Sequence, residues 1–163
     1  MTHRENGIVV NTSPWIALSI CGQIQILEKL YTNVFVSQKV REEIIAGGKD
    51  RFGVHEFETC QWLNVQEIHD MEKVKLLYEL DQGEAQVIIL AKERDVRHVL
   101  IDEKVARLQA KILGLEVIGT LGILLKAKRK GLLTSIKASI EMILSNGIWI
   151  QDEIVEGILK EAG

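Results

Sequence analysis

Short runs of apolar, mostly β-branched residues, separated by stretches with helical periodicity, constrain the fold of this chain most strongly. The clearest runs are "IVV" at 8–10, "VFV" at 34–36, "HVLI" at 98–101 and "LEVI" at 115–118. Runs with so few polar residues are typical of parallel strands that are covered on both faces. Strands that alternate with helices predict an α/β protein, in which a central parallel β-sheet lies between helices as a three-layer α/β/α fold.

Helix start signals support this alternation. Ser37 suits the N-cap of a helix over 38–46, and Asp81 with Glu84 forms a capping-box pattern at the start of another helix. A further strand is predicted within 62–68. Helical spacing also predicts helices over 13–21, 23–31, 71–80, 103–113, 121–131 and 135–145.

The length of 163 residues fits one domain, and no internal repeat or linker divides the chain. We expect a flexible N-terminal tail over residues 1–7 and a single domain over 8–163. No apolar run approaches the roughly 20 residues that span a bilayer, the start lacks a signal-peptide pattern, and the two cysteines stand alone. These features predict a cytoplasmic protein that does not associate with membranes.

Four polar residues could meet at one edge of the predicted sheet. Asn11 and Asp102 directly follow two of the strands, and in open α/β sheets ligands bind beyond the carboxyl ends of the strands. Glu43 and Glu84 could reach the same place from helices. Converging carboxylates repel one another unless a cation neutralises them, and oxygen ligands suit Mg²⁺ or Mn²⁺. Such an ion could activate water for phosphodiester hydrolysis.

Each of these residues also has an ordinary structural interpretation. Asp102 could be the N-cap of the helix over 103–113, and Glu84 could serve only in the capping box. Glu43 could be a solvated helix residue, and Asn11 could bind local backbone at the turn. The residues alone leave both interpretations open.

Local basic patches are the only features that suggest nucleic-acid binding, because the net charge of the chain is −3. Lys104, Arg107 and Lys111 lie on one face of a predicted helix, and "KAKRK" at 126–130 supplies Lys126, Lys128 and Arg129. Solvated helix faces would produce the same two patterns.

Five segments in order resemble a known family. They are "VVNTSPWIALS", "VFVSQKVREEI", "LDQGEAQVIILA", "VLIDEKVARLQAKILGLEVIGTLGILLKAKRKGLL" and "GIWIQDEIVEGILKEAG". Together they cover nearly the whole chain and resemble the PIN-domain proteins, in particular prokaryotic relatives of the VapC-type ribonucleases that carry "GEA" and "IGTLGILL". The resemblance implies a parallel-sheet α/β/α fold with an acidic cluster.

The resemblance also implies a function and a set of site residues. Related PIN-domain proteins are Mg²⁺- or Mn²⁺-dependent ribonucleases, and many are toxins of toxin–antitoxin pairs. The implied catalytic and metal-binding residues are Asn11, Glu43, Glu84 and Asp102, with Glu103 as an additional metal ligand. The implied partners are RNA, a small antitoxin protein and a second copy of the chain in a homodimer. RNA would be bound by Lys104, Arg107, Lys126, Lys128 and Arg129.

Asn11 departs from the family pattern, because most relatives carry aspartate at this place. An amide oxygen can bind Mg²⁺, but it brings no negative charge, and the amide cannot act as a general base. Two hypotheses follow. The chain is either an active metal-dependent ribonuclease or a catalytically degenerate PIN-like module that binds nucleic acid or protein.

Overall fold

The computed structural model describes residues 4–47 and 51–163, which form five strands and ten helices. The strands are β1 (Glu5–Val10), β2 (Tyr31–Ser37), β3 (Leu63–Gln66), β4 (His98–Leu100) and β5 (Glu116–Ile118). The helices are α1 (Thr12–Ile20), α2 (Ile26–Leu30), α3 (Gln38–Ala46), α4 (Val54–Thr59), α5 (Met71–Leu76), α6 (Gln82–Glu93), α7 (Lys104–Ile112), α8 (Thr120–Arg129), α9 (Ile136–Ser145) and α10 (Asp152–Ala162). None of these helices is long and apolar enough to cross a membrane.

The five strands form one parallel sheet in the order β3-β2-β1-β4-β5. The chain builds outward from β1 to β3 and then returns to the other side of β1 to add β4 and β5. Strand order therefore reverses between β1 and β4, and a crevice forms beyond the carboxyl ends of strands at such a reversal. The predicted three-layer α/β/α fold is confirmed.

The central strand β1 is covered on both sides. Ile8, Val9 and Val10 are fully buried, as the continuous apolar run predicted. Helix α6 packs against β1, β2 and β4, whereas α1 and α8 pack against each other. The indole of the buried Trp15 on α1 donates to the carbonyl oxygen of Gly53 at 2.9 Å, which ties the start of α4 to the core.

The sheet begins earlier than the sequence predicted. Residues 1–3 of the predicted tail lie outside the described residues, but β1 already starts at Glu5, opposite Tyr31 of β2. The Glu5 carboxylate accepts from the Lys126 ammonium at 2.9 Å, and the Asn33 amide donates to the Asn6 carbonyl oxygen at 3.0 Å. These partners allow polar residues to extend the strand.

Two predicted helices are shorter in the structure. The helix predicted over 23–31 is reduced to α2, because the buried Tyr31 already belongs to β2. The helix predicted over 71–80 is reduced to α5, which ends at Leu76. By contrast, α3 has the predicted bounds, and Ser37 Oγ accepts from Val40 N at 3.1 Å as the predicted cap.

Candidate functional site

Asn11 and Asp102 lie on either side of the strand-order reversal. The backbone N–H of Asn11 donates to the carbonyl oxygen of Leu100 at 3.1 Å, which extends the pairing of β1 with β4 by one residue. The N–H of Ile101 donates in turn to the carbonyl oxygen of Ile118 at 3.0 Å. Both polar residues therefore follow paired backbone at the same carboxyl edge of the sheet.

The side chain of Asn11 has no hydrogen-bond partner among the residues that the structure describes. Asn11 occupies the N-cap position of α1, but its side chain makes no capping hydrogen bond. The residue is only 7% exposed, and no other hydrogen bond to its amide occurs within residues 4–47 and 51–163. Local backbone bonding therefore does not explain this amide, and its oxygen is free to bind a ligand.

Glu43 is held against the start of α6. Its Oε1 atom is buried without a hydrogen-bond partner among the described residues. Burial raises the pKa of this carboxyl group, and the nearby Thr12 hydroxyl offsets part of that rise. The two groups do not, however, reach hydrogen-bonding geometry. A Cβ atom at Gly83 would overlap Glu43 Oε1, so the glycine of "GEA" makes the space in which this carboxyl group lies.

Glu84 serves in the predicted capping box and is 8% exposed. Asp81 Oδ1 accepts from Glu84 N at 2.8 Å, and Glu84 Oε1 accepts from Asp81 N at 3.2 Å. Capping uses one carboxyl oxygen only. In the described part of the chain, Glu84 Oε2 makes no hydrogen bond.

Burial and neighbouring negative charges raise the pKa of these two acids. Burial raises the pKa of Glu43, and the charge of Asp81 raises it further. Burial also raises the pKa of Glu84, with smaller contributions from the charges of Asp81, Glu103 and Glu43. No described lysine, arginine or histidine forms an ion pair with Glu43 or Glu84. The nearby Lys39 pairs with the exposed Glu42 at 4.0 Å, and its charge only partly offsets the rise in the pKa of Glu43. The edge therefore carries negative charge that its neighbours do not neutralise.

Asp102 has a different structural role from the one that local sequence suggested. Glu103 is the N-cap of α7, since its carboxylate accepts from Val105 N at 3.0 Å and from Ala106 N at 2.8 Å. Asp102 instead caps α8, where it accepts from the N–H of Thr120 at 2.7 Å and from the Thr120 hydroxyl at 2.6 Å. The hypothesis that Asp102 caps the helix over 103–113 is wrong, because Glu103 takes that place.

Gly83 and Thr120 belong to this site although the sequence did not identify them as site residues. Gly83 lies in "GEA" and Thr120 in "GTLG" at a strand-to-helix turn. The only signal was that both segments are motifs of the resemblance. Neither residue type reveals by itself which distant side chain it contacts.

The predicted basic residues divide between two ends of the sheet. Helix α8 starts beside Asp102, and its last turn lies near the start of β1. There Lys126 forms an ion pair with Glu5, the first residue of β1. Lys126 also donates to the Tyr31 hydroxyl at 3.2 Å, and Arg129 pairs with Glu161 at 3.3 Å. Lys128 lies in the same last turn of α8. Lys104 and Arg107 follow Asp102 directly on α7; RNA binding by all five residues stays a prediction.

The donors at the acidic edge fit a hard divalent cation by their chemistry. Within the described ranges, no three carboxylate, imidazole or thiolate side chains are grouped closely enough to hold a metal ion. The amide of the buried Asn11, the buried and unpartnered Glu43 Oε1 atom and the Oε2 atom of the buried Glu84 nevertheless supply oxygen donors at one edge. Oxygen donors of this kind suit Mg²⁺ or Mn²⁺ rather than zinc.

The raised carboxyl pKa values predict how stability depends on pH. A carboxyl group whose pKa is higher in the folded state binds its proton more tightly there, so stability falls as pH rises through that pKa. In metal-free buffer at pH 7, we expect Glu43→Gln to raise Tm by a few degrees. For a domain of this size, such a shift corresponds to about 1 kcal/mol in the free energy of unfolding. The gain should disappear near pH 4, about the ordinary pKa of glutamate.

Thermal unfolding followed by circular dichroism would measure this effect. Glu42→Gln, the exposed neighbour on the same helix, is the matched control, and its Tm should stay close to that of the wild type. A Glu43→Gln protein that is less stable than the wild type at pH 7 would contradict the account of this carboxyl group.

Comparison with known proteins identifies the fold family. A family model described as "DUF3368: PIN domain" matches residues 7–163. The comparison with curated proteins gave no match. The matched range includes the strand-order reversal, Asn11, Glu43, Glu84 and Asp102. Because the match spans nearly the whole chain, the protein belongs to the PIN-domain family.

Proposed function

We propose that the protein is a Mg²⁺- or Mn²⁺-dependent ribonuclease whose site lies at the carboxyl edge of the sheet. The observation that supports this most is that the half-buried Glu43 and the buried Glu84 lack an ion-pair partner among the described residues, at the edge where the strand order reverses. Burying such charges costs stability unless they are paired. Two acids that form no ion pair with a described lysine, arginine or histidine suit a cation from solution.

Asn11, Glu43 and Glu84 would hold the ion, with Asp102 beside them. The unpartnered Glu43 Oε1 and the Glu84 Oε2 atom would bring the negative charge, and the Asn11 amide a neutral oxygen. Glu103 contributes charge at longer range, because its carboxylate is engaged as the cap of α7. When bound, a divalent ion lowers the pKa of a water molecule and stabilises charge on the phosphate.

The proton of the attacking water must go to a carboxylate, because the Asn11 amide cannot take it. Glu84 is the best suited of the acids. Its pKa is raised mainly by burial, which makes it a stronger base, and its Oε2 atom, which accepts no hydrogen bond from the described residues, has one lone pair for the ion and a second for the proton. Asp102 is less suited, because both of its oxygens already accept from Thr120; it is held rigidly and can position the phosphate or its ion.

The family relationship supports a wider proposal about partners. RNA is the proposed substrate, and a small antitoxin protein is the proposed inhibitor if the chain is the toxin of a toxin–antitoxin pair. We also propose a homodimer and a cytoplasmic location, in line with the PIN-domain relatives that the chain resembles.

A second candidate function is favoured by Asn11 alone. With an amide in place of the usual carboxylate, the site has one negative charge fewer for a divalent ion. The chain would then be a degenerate PIN-like module that binds nucleic acid or a protein without cleaving RNA.

Cleavage of a labelled single-stranded RNA tests the first proposal. We expect cleavage with Mn²⁺, none with EDTA, and a loss on the order of 100-fold or more in Asp102→Asn and Glu84→Gln. Glu116 is an exposed acid at the other end of the sheet, so Glu116→Gln is the control for effects of mutation and purification and should retain full activity. Equal cleavage by Asp102→Asn and the wild type would indicate a contaminating nuclease and contradict the assignment.

In the same assay, Asn11→Asp separates the two candidate functions. If the amide is a working part of the site, the substitution should not raise Mn²⁺ affinity or cleavage markedly. A wild type without activity that gains both in Asn11→Asp would establish the degenerate module.

Gly83→Ala should weaken Mn²⁺ binding at the proposed site while leaving the stability of the fold nearly unchanged. The added Cβ would displace the flexible end of Glu43, not backbone, so the free energy of unfolding should change by less than about 1 kcal/mol. Mn²⁺ affinity, measured by calorimetry, should fall about ten-fold or more because a ligand has moved.

Gly157→Ala is the matched control for this substitution. Gly157 lies in α10 with open space around it, so alanine should stabilise the helix slightly and leave Mn²⁺ affinity unchanged. Unaltered Mn²⁺ affinity in Gly83→Ala would remove Glu43 from the proposed ligand set.

A further inference from the structure

Arg107 is fixed at the acidic edge by the backbone of β4. It lies in the first turn of α7, and its Nη1 atom donates to the carbonyl oxygen of Ile101 at 2.8 Å. Ile101 immediately precedes Asp102 in the chain. The guanidinium is therefore held where β4 ends, next to the proposed site, instead of extending freely into solvent.

Gly119 makes room for this arrangement. A Cβ atom at Gly119 would lie 2.8 Å from Arg107 Nη1 and 2.9 Å from Asp102 Oδ1. The guanidinium and the carboxylate thus both lie against the backbone that starts α8. No ion pair within 4.0 Å joins Arg107 to a carboxylate of the described residues, so its charge is not cancelled by a direct partner.

Three other cations of the chain are engaged elsewhere. Lys126 binds Glu5 and Tyr31 at the opposite end of the sheet, and Arg129 pairs with Glu161. Arg97 lies before β4, at its amino end, and pairs with Glu116 at 3.9 Å. Arg107 is the arginine that the fold places beside Asp102.

We propose that Arg107 binds a backbone phosphate of the RNA and positions it beside Asp102. The proposal rests on the ribonuclease function proposed above and assigns the residue that holds its substrate. A guanidinium carries five N–H donors in a planar fork, and one bond to Ile101 leaves others for phosphate oxygens. The acidic edge would otherwise repel a polyanion, and a fixed cation offsets that repulsion. A phosphate contact positions RNA without reading its sequence.

Binding of a short fluorescein-labelled single-stranded RNA, followed by fluorescence anisotropy with Mn²⁺, tests this role. Glu84→Gln serves as the background so that the probe is not cleaved. Adding Arg107→Gln should weaken binding about ten-fold, the scale of one charged hydrogen-bonded contact. The slope of log K against log salt should become shallower by about 0.7, as expected for one lost phosphate contact with a single strand.

Arg97→Gln in the same background is the matched control, because it removes the same charge at the other end of β4. It should leave both the affinity and the salt slope unchanged. Arg107→Lys should restore the salt slope but only part of the affinity, since an ammonium lacks the planar fork. Equal effects of Arg97→Gln and Arg107→Gln would show a general charge effect and overturn the proposal.

Mn²⁺ binding to Arg107→Gln, without the Glu84 substitution, distinguishes a phosphate contact from a purely structural role. We expect Mn²⁺ affinity to equal that of the wild type, whereas its loss would show that Arg107 only supports the acidic edge and would overturn the proposal. RNA affinity that does not depend on Arg107, with Mn²⁺-dependent cleavage intact, would overturn the phosphate contact alone. Binding that depends on Arg107 in a chain that never cleaves RNA would keep the contact and overturn the ribonuclease.

Discussion

The pairing of β1 with β4 is the constraint on which the rest of the structure depends. Parallel strands bring their carboxyl ends to one edge, and the return of the chain across β1 places Asn11 next to the segment that leads to Asp102. Helices α3 and α6 then add Glu43 and Glu84 to this edge, and they approach closely because residue 83 has no side chain. Without that pairing, these residues would be four unrelated polar positions.

Electrostatics at this edge favour function over stability. Burial raises the pKa of both Glu43 and Glu84, the charge of Asp81 raises both further, and the charge of Glu43 adds to the rise at Glu84. At the opposite edge, Glu5 has Lys126 as a direct partner, and its pKa is lowered. The two ends of the sheet therefore differ. Glu5 has an ion-pair partner at one end, whereas Glu43 and Glu84 at the other end have none among the described residues.

The sequence predicted the elements of the fold because local patterns decide them. Apolar runs identified β1, β2, β4 and β5, and Ser37 and Asp81 correctly marked two helix starts. The sequence did not predict contacts between residues that lie far apart in the chain. Tyr31 looks like the end of a helix until its place opposite Glu5 in the sheet is known.

The same limit applies to the candidate site. Strand ends and the capping box placed Asn11, Glu84 and Asp102 at the right elements. The partner of Asp102 proved to be Thr120, and no local rule distinguishes that cap from one on the following helix. Lys126 likewise reads as part of a basic surface patch, whereas its contact with Glu5 depends on the full course of α8 across the sheet.

A crystal structure of the wild-type chain soaked in Mn²⁺, with anomalous scattering recorded for manganese, tests the central claim most directly. The account predicts one anomalous peak at the carboxyl edge of the sheet, about 2.0–2.3 Å from oxygen atoms of Glu43 and Glu84 and from the amide oxygen of Asn11. A fully occupied manganese ion bound only elsewhere, or no peak at this edge under saturating Mn²⁺, would contradict it.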